Sequence, residues 1–250
     1  MKTVIKPIQN EAALLIPSKS LLVIADLHIG IEYSLYQQGI HIGSRVDLLI
    51  KRVKNMINKH MVKEILILGD VKHVVPSSPH SQKTDLHRFF KEFKDLRLHV
   101  IPGNHDGGIN RFIPKEVEIH SSKGWVLDDE SIGFVHGHRW PSEKVMRCST
   151  IVAAHTHPSV MLKDKMGYRF FEQCWVNTKT DAEKTMIRYS STSKSDLIIM
   201  PAFNPLCGGV AVNVDGVLGP LGKIIDVNSS KVYLLDGSYI GRVKSLKLHI

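Results

Sequence analysis

"SLLVIADLH", residues 20 to 28, is an apolar run that ends abruptly in an aspartate and a histidine two residues apart. Such a run reads as a strand buried on both faces, because a half-exposed strand would alternate apolar and polar side chains. The pattern recurs in "EILILGD" (64–70), "LRLHVIPGNHD" (96–106), "SIGFVHGH" (131–138) and "STIVAAHTH" (149–157). Five strands, each with a polar tip, are therefore expected. Between the first two, "SRVDLLIKRVKNMINKH" (44–60) sets Val46, Leu49, Ile50, Val53, Met56 and Ile57 at helical spacing opposite lysines, with Ser44 as N-cap. A second helix over 81–96 precedes the third strand, and the order strand, helix, strand implies right-handed crossovers and an α/β core.

Beyond residue 157 the texture changes to shorter β-type segments: "YRFFEQCWV" (168–176), "TMIRYS" (185–190), "DLIIM" (196–200) and "KVYLL" (231–235). These predict a second sheet. No internal repeat or long linker interrupts the chain, so the expectation is one domain over residues 1–250, built of two packed sheets with outer helices.

A chain of 250 residues can bury a full core. Its cysteines, Cys148, Cys174 and Cys207, are odd in number, far apart and form no C-x-x-C pair, which argues against a disulfide framework or thiolate zinc site and for a reducing compartment. The N-terminus lacks the longer apolar core of a signal peptide, and no stretch reaches the roughly 18 apolar residues of a membrane span. A cytoplasmic protein with no membrane partner is expected. The net charge of +9 favours anionic partners such as nucleic acid, nucleotides or phosphorylated substrates, although scattered lysines fit a solvated surface equally well.

Parallel strands share a carboxyl edge, where open α/β sheets bind ligands. The tips bring Asp26, His28, Asp70, Asn104, His105, Asp106, His136, His138, His155 and His157 to that edge. In D-x-H and H-x-H the two-residue spacing places both side chains on one side of an extended segment. Imidazole and oxygen donors without thiolate suit manganese, iron or zinc, and Asp70, with two carboxylate oxygens, is the natural bridge between two ions. Taken singly, each tip is ordinary, since Gly-Asp and Gly-Asn are common turn chemistry; the set is what points to a metal site. His73, just past Asp70, is a candidate to face it. Arg139 and Trp140 read either as an anion and base contact or as an ion pair and core packing. His41, His60, His80, His87, His99, His120 and His249 have no companion ligand in the sequence and read as surface or cap residues. "MPAFNPLCGGVAVN" (200–213) is an irregular loop, read as a connection between core strands rather than as the rim of the site.

With D-x-H, GD, GNHD, a strand-end His and H-x-H in that order, residues 20 to 160 resemble the calcineurin-like metallophosphoesterase superfamily. "ADLHIGIEYSLYQQGI", "LGDVKH", "HGHRWP" and "MPAFNPLCGG" are similar to its ICC-like phosphoesterase branch, known from archaea and from bacterial proteins associated with a DNA ligase, and carry that narrower match to about residue 212. The resemblance implies a four-layer α/β/β/α sandwich of two mixed sheets. It implies two divalent ions, manganese first and iron, zinc or nickel next, with Asp26, His28 and His157 on one, Asn104, His136 and His155 on the other, and Asp70 shared. His105 is then the general acid for in-line attack by a metal-bridging hydroxide on a phosphodiester, with Asp106 orienting its ring. His138 would contact phosphate, hydrogen-bond a ligand or donate to the leaving group, and together with Arg139 and His73 it is a candidate substrate-binding residue.

Nucleotides or nucleic acid are the implied substrates, DNA-repair proteins the partners by association, and a homodimer is in keeping with small enzymes generally. The competing readings are a phosphomonoesterase on a small metabolite and a non-catalytic metal-binding scaffold in a repair assembly. The superfamily usually has Gly where this chain has Ala154, a difference that matters only if that residue needs a positive φ.

Overall fold

The computed structural model describes residues 3–74, 80–127, 131–189 and 194–247. His249 and Ser190 lie outside these residues. The first sheet has six strands in chain order: Lys6–Pro7 (β1), Ala13–Ile16 (β2), Leu21–Ile24 (β3), Glu64–Leu68 (β4), Arg97–Ile101 (β5) and Glu118–Ile119 (β6). Strands β3 to β6 are parallel, and β1 and β2 are antiparallel additions at one edge. The second sheet contains Trp125–Val126 (β7), Ile132–Val135 (β8), Thr150–Ala153 (β9), Pro158–Lys163 (β10), Arg169–Lys179 (β11), Asp196–Ile199 (β12), Val210–Ala211 (β13), Lys231–Leu234 (β14) and Tyr239–Arg242 (β15). Its main path runs β13-β10-β11-β12-β9-β8-β7, with β8, β9 and β12 parallel and β14 joined to β11 and β15.

Three apolar layers fix the packing. Alternate residues of the first sheet, Leu22, Ile24, Ile65, Ile67 and Val100, meet two helices, Val46–His60 and His80–Glu92, through Leu49, Val53, Met56, Leu86, Phe89 and Phe90. The intervening residues Leu21, Val23, Leu66, Leu68 and Ile101 meet Ile132, Phe134, Val152 and Trp175 of the second sheet. Behind that sheet, Val135, Ile151 and Ala153 pack on Val145 and Met146 of the short helix Glu143–Met146 and on Leu221 and Ile224. The result is the expected α/β/β/α sandwich. Full burial of each of these Leu or Ile side chains contributes roughly 1.5–3 kcal/mol, which is why the central strands β3, β8 and β9 are apolar and buried on both faces.

Three expectations change. The polar-tipped strands divide between the sheets, β3, β4 and β5 in one and β8 and β9 in the other, so the second sheet begins well before residue 157. Strands buried on both faces carry no mark of which sheet they join. Of the expected β segment 185–190, the described residues 185–189 are not β: Ala182–Tyr189 is a helix, started by Asp181, whose side chain accepts from Lys184 N at 3.1 Å and whose carbonyl accepts from Thr185 N at 2.9 Å. Local capping wins over the β-branched composition. Arg45 rather than Ser44 precedes the helix Val46–His60, although Ser44 Oγ still accepts from Val46 N at 3.3 Å.

Candidate metal centre

The two sheets pack face to face with their parallel strands ending together, so the five tips meet across the inter-sheet layer. Each tip leaves β geometry where chemistry begins. Asp26, His28, Asp70, His155 and His157 have φ of 54°, 41°, 46°, 69° and 46°. Non-glycine residues rarely adopt this region, and holding them there costs on the order of 1 kcal/mol or more each. The D-x-H and H-x-H side chains therefore converge through left-handed turns and not, as expected, through extended alternation. Ladder-like bonds hold the first turn: Asp26 N donates to Gly69 O at 3.1 Å and His28 N to Asp70 O at 2.8 Å. Ala154 is not among the positive-φ residues, so its methyl is accommodated.

Asp70 is the hub. Its Oδ2 lies 3.5 Å from His28 Nε2 and 3.6 Å from His136 Nε2. His136 Nε2 is also 3.0 Å from Asp26 Oδ1, which lies 3.3 Å from His157 Nε2. Donor atoms of Asp26, His28, Asp70 and His157 form one group that could hold an ion, and those of Asp70, His136 and His155 form a second. Asp70 belongs to both. Asn104 is exposed on the loop beside them, and the next residue, His105, donates its backbone N–H to Asp70 Oδ1 at 2.9 Å. Gly69 and Gly103 are more than turn residues: a Cβ on Gly69 would strike the His136 ring, and one on Gly103 would strike Asp70.

The charge balance fits a cation. Asp26 and Asp70 are buried, and burial raises both carboxyls; for Asp26 the neighbouring His157 and His136 outweigh burial and hold it well below the usual range, whereas Asp70 remains raised. Burial pushes His28 down to about 2 and, with His136 beside it, His155 down to about 4. Burial lowers His136 and His157 as well, but Asp26 beside them outweighs it and raises both; imidazoles grouped with buried carboxylates in this way are a metal donor set.

The second ring nitrogens of three candidate ligands have partners of their own. His28 Nδ1 lies 3.1 Å from His73 Nδ1, and His136 Nδ1 lies 2.9 Å from His138 Nδ1. His157 Nδ1 donates to Gly208 O at 3.2 Å. Such contacts behind a ligating imidazole fix its tautomer and direction. His105 Nδ1 donates to His73 O at 2.6 Å, and its ring stacks on His73 with centroids 5.5 Å apart.

Asp106 does not orient His105 as expected. Its oxygens accept backbone N–H groups of Val71, Lys72 and Gly103 at 2.9, 3.2 and 2.8 Å, so this buried carboxylate ties the two tip loops together. Trp140 packs edge-on to Tyr189 with Arg188 over its ring, which matches the packing alternative, and Arg139 is exposed next to His138. The 200–213 loop closes on the site, contrary to its reading as a mere connection: Phe203 N donates to Ala25 O at 2.8 Å and buried Asn204 Nδ2 to Leu27 O at 2.8 Å.

Two participants escape sequence reasoning. Cys207, set aside for its isolation, donates to Asp26 O at 3.7 Å and sits with His28 and His157; burial, then the charges of Asp26 and Asp70, raise its pKa and keep it a thiol. Lys72 is fully buried, with Nζ donating to Val74 O at 3.3 Å, and burial lowers its pKa against the pull of Asp106 and Asp70. Its place in "GDVKH", beside Asp70, was the available signal. Conversely, His99 and His120, read as solitary, lie together with Glu118.

The sequence profile of the calcineurin-like phosphoesterases matches residues 19–179. Among solved structures, the nuclease MPE of Pseudomonas putida is similar at a TM-score of 0.58 and 20% identity, over 93% of this chain and 98% of that one. The phosphoesterase Yfce from E. coli aligns at a TM-score of 0.39 and 15% identity, over 89% of this chain and 97% of its own. No curated protein sequence matches the chain.

Proposed function

The chain belongs to the calcineurin-like phosphoesterase family, and from that premise we propose that it hydrolyses phosphodiester bonds in nucleotide or nucleic-acid substrates, with residues 1–250 acting as one domain. As a metal-dependent phosphoesterase it needs a site for cations. The observation that carries the proposal is the pair of donor groups sharing Asp70. Asp26, His28, Asp70 and His157 would hold one ion, and Asp70, His136, His155 and the adjacent Asn104 the other. Two bound divalent ions supply positive charge that offsets the phosphoryl oxygens and lowers the pKa of water towards neutrality.

The chain's own residues do the rest. His105, anchored through its backbone on Asp70 and through Nδ1 on the His73 carbonyl, presents Nε2 to protonate the departing oxygen. His73 and His138 orient His28 and His136, and so act behind the ligands rather than as direct substrate contacts. Arg139, exposed at the same rim, is placed to draw in an anionic substrate.

A preference for a polymer or nucleotide is supported by the hairpin that leaves the site directly after His157. Lys163, Tyr168, Arg169, Phe170 and Phe171 are all exposed on it, and such a basic and aromatic set suits phosphates and base faces. The mixture is split across a turn, so no contiguous stretch of the sequence displays it. The nuclease of similar fold is in keeping with this choice.

The test is turnover by manganese-loaded protein on bis-p-nitrophenyl phosphate, cyclic nucleotides, single-stranded and duplex DNA, RNA and p-nitrophenyl phosphate. Diester hydrolysis well above monoester hydrolysis is expected. Exclusive monoesterase activity would overturn the substrate class.

A further inference from the structure

We propose that His99, His120 and Glu118 form an additional metal site, for a divalent transition ion of the zinc or cobalt class, at the open edge where the two sheets meet.

Strand β5 explains why His99 calls for an account. Its neighbours Leu98, Val100 and Ile101 are buried and apolar, and His99, at 3% exposure, points into the layer between the sheets. A polar ring in such a layer is costly unless both nitrogens are satisfied. Nδ1 lies 3.0 Å from His120 Nε2 and 3.5 Å from Glu118 Oε2. Nε2 is buried without a hydrogen-bond partner, although Glu64 Oε2 stands 3.4 Å away on that side. Two imidazole nitrogens and a carboxylate oxygen thus converge on one point, with a further carboxylate behind the buried ring.

That is the chemistry of a transition-ion site. Zinc and cobalt take two histidines and a carboxylate readily, leaving a position for water, and a ligating histidine typically has a carboxylate or carbonyl at its other nitrogen. Glu64 is placed for that duty. Burial, reinforced by the His99 ring, lowers the His120 pKa, so its lone pair is available. Trp125 of β7 stacks on both rings, with centroids 4.6 Å from His120 and 5.1 Å from His99, and so fixes their planes.

The position suggests what the ion does. Strand β6 has only two residues and pairs with β5 alone, while Trp125 belongs to the other sheet. An ion shared by His99, Glu118 and His120 fastens β6 and the following loop to β5, under a side chain of the second sheet.

Equilibrium dialysis against low-micromolar free zinc, followed by elemental analysis, tests the proposal on the full-length protein. About one zinc per chain more is expected in the wild type than in His120→Ala or Glu118→Gln, with unchanged diester turnover in both variants. Glu118 is half exposed, so Glu118→Gln carries the test if His120→Ala does not fold. Copper titration gives a second readout: saturable quenching of tryptophan fluorescence in the wild type, reduced at least tenfold in apparent affinity in Glu118→Gln. Equal zinc content in the wild type and both variants overturns the proposal.

Discussion

His73 Nδ1 lies 3.1 Å from His28 Nδ1, on the side of the ring opposite Asp70. With His28 Nδ1 donating and His73 Nδ1 accepting, the contact leaves the His28 Nε2 lone pair for the proposed ion and holds the ring in place. His73→Ala should therefore weaken metal binding about 10- to 100-fold, the usual effect of removing a partner behind a ligand. Metal titration of the apo protein measures it, and unaltered affinity would show that His28 needs no such support.

His105 and Asp70 separate two functions although the His105 backbone N–H rests on the Asp70 carboxylate. His105→Ala should retain metal while diester turnover falls about 10²- to 10⁴-fold, as expected for loss of a proton donor. Metal content and turnover measured on the same preparation decide this; a variant that loses both would make His105 a ligand.

Asp106→Ala leaves the buried N–H groups of Val71, Lys72 and Gly103 without their acceptor. Each unsatisfied donor costs about 1–3 kcal/mol, so chemical denaturation should show a large loss of stability. Because Asp106 does not touch the His105 ring, the pH–rate profile of whatever folds should keep its shape, and an alkaline limb displaced to lower pH would restore Asp106 as the group that supports the proton on His105.

Gly69→Ala puts a methyl into the His136 ring at a residue whose φ is 79°. A loss of at least about 1 kcal/mol is expected, with weaker metal binding because His136 must move. The denaturation midpoint and metal titration report the two effects separately, and a neutral substitution would mean that the tip loop is free to shift.

The layers of the fold are legible because Leu21, Leu22, Val23 and Ile24 are all apolar, and only a strand covered on both faces tolerates that. The same property hides which sheet a strand joins, so Ile132 to Val135 and Thr150 to Ala153 read like members of the first sheet. Spacing exposes the donor residues, but not the left-handed backbone that brings Asp26 to His28 and His155 to His157. The roles of Asp106, His73 and Cys207 depend on contacts between segments distant in the chain, such as the 3.7 Å approach of Cys207 Sγ to Asp26 O, which no local pattern encodes. His99 and His120, 21 residues apart, become neighbours only through the pairing of β5 with β6.

On the proposed function, Asp70 joins two ion sites. Anomalous diffraction from crystals of manganese-loaded protein tests it most directly. Two anomalous peaks are predicted, both touching Asp70, one flanked by Asp26, His28 and His157 and the other by His136 and His155. A single peak, or peaks that leave Asp70 without a metal, would contradict it.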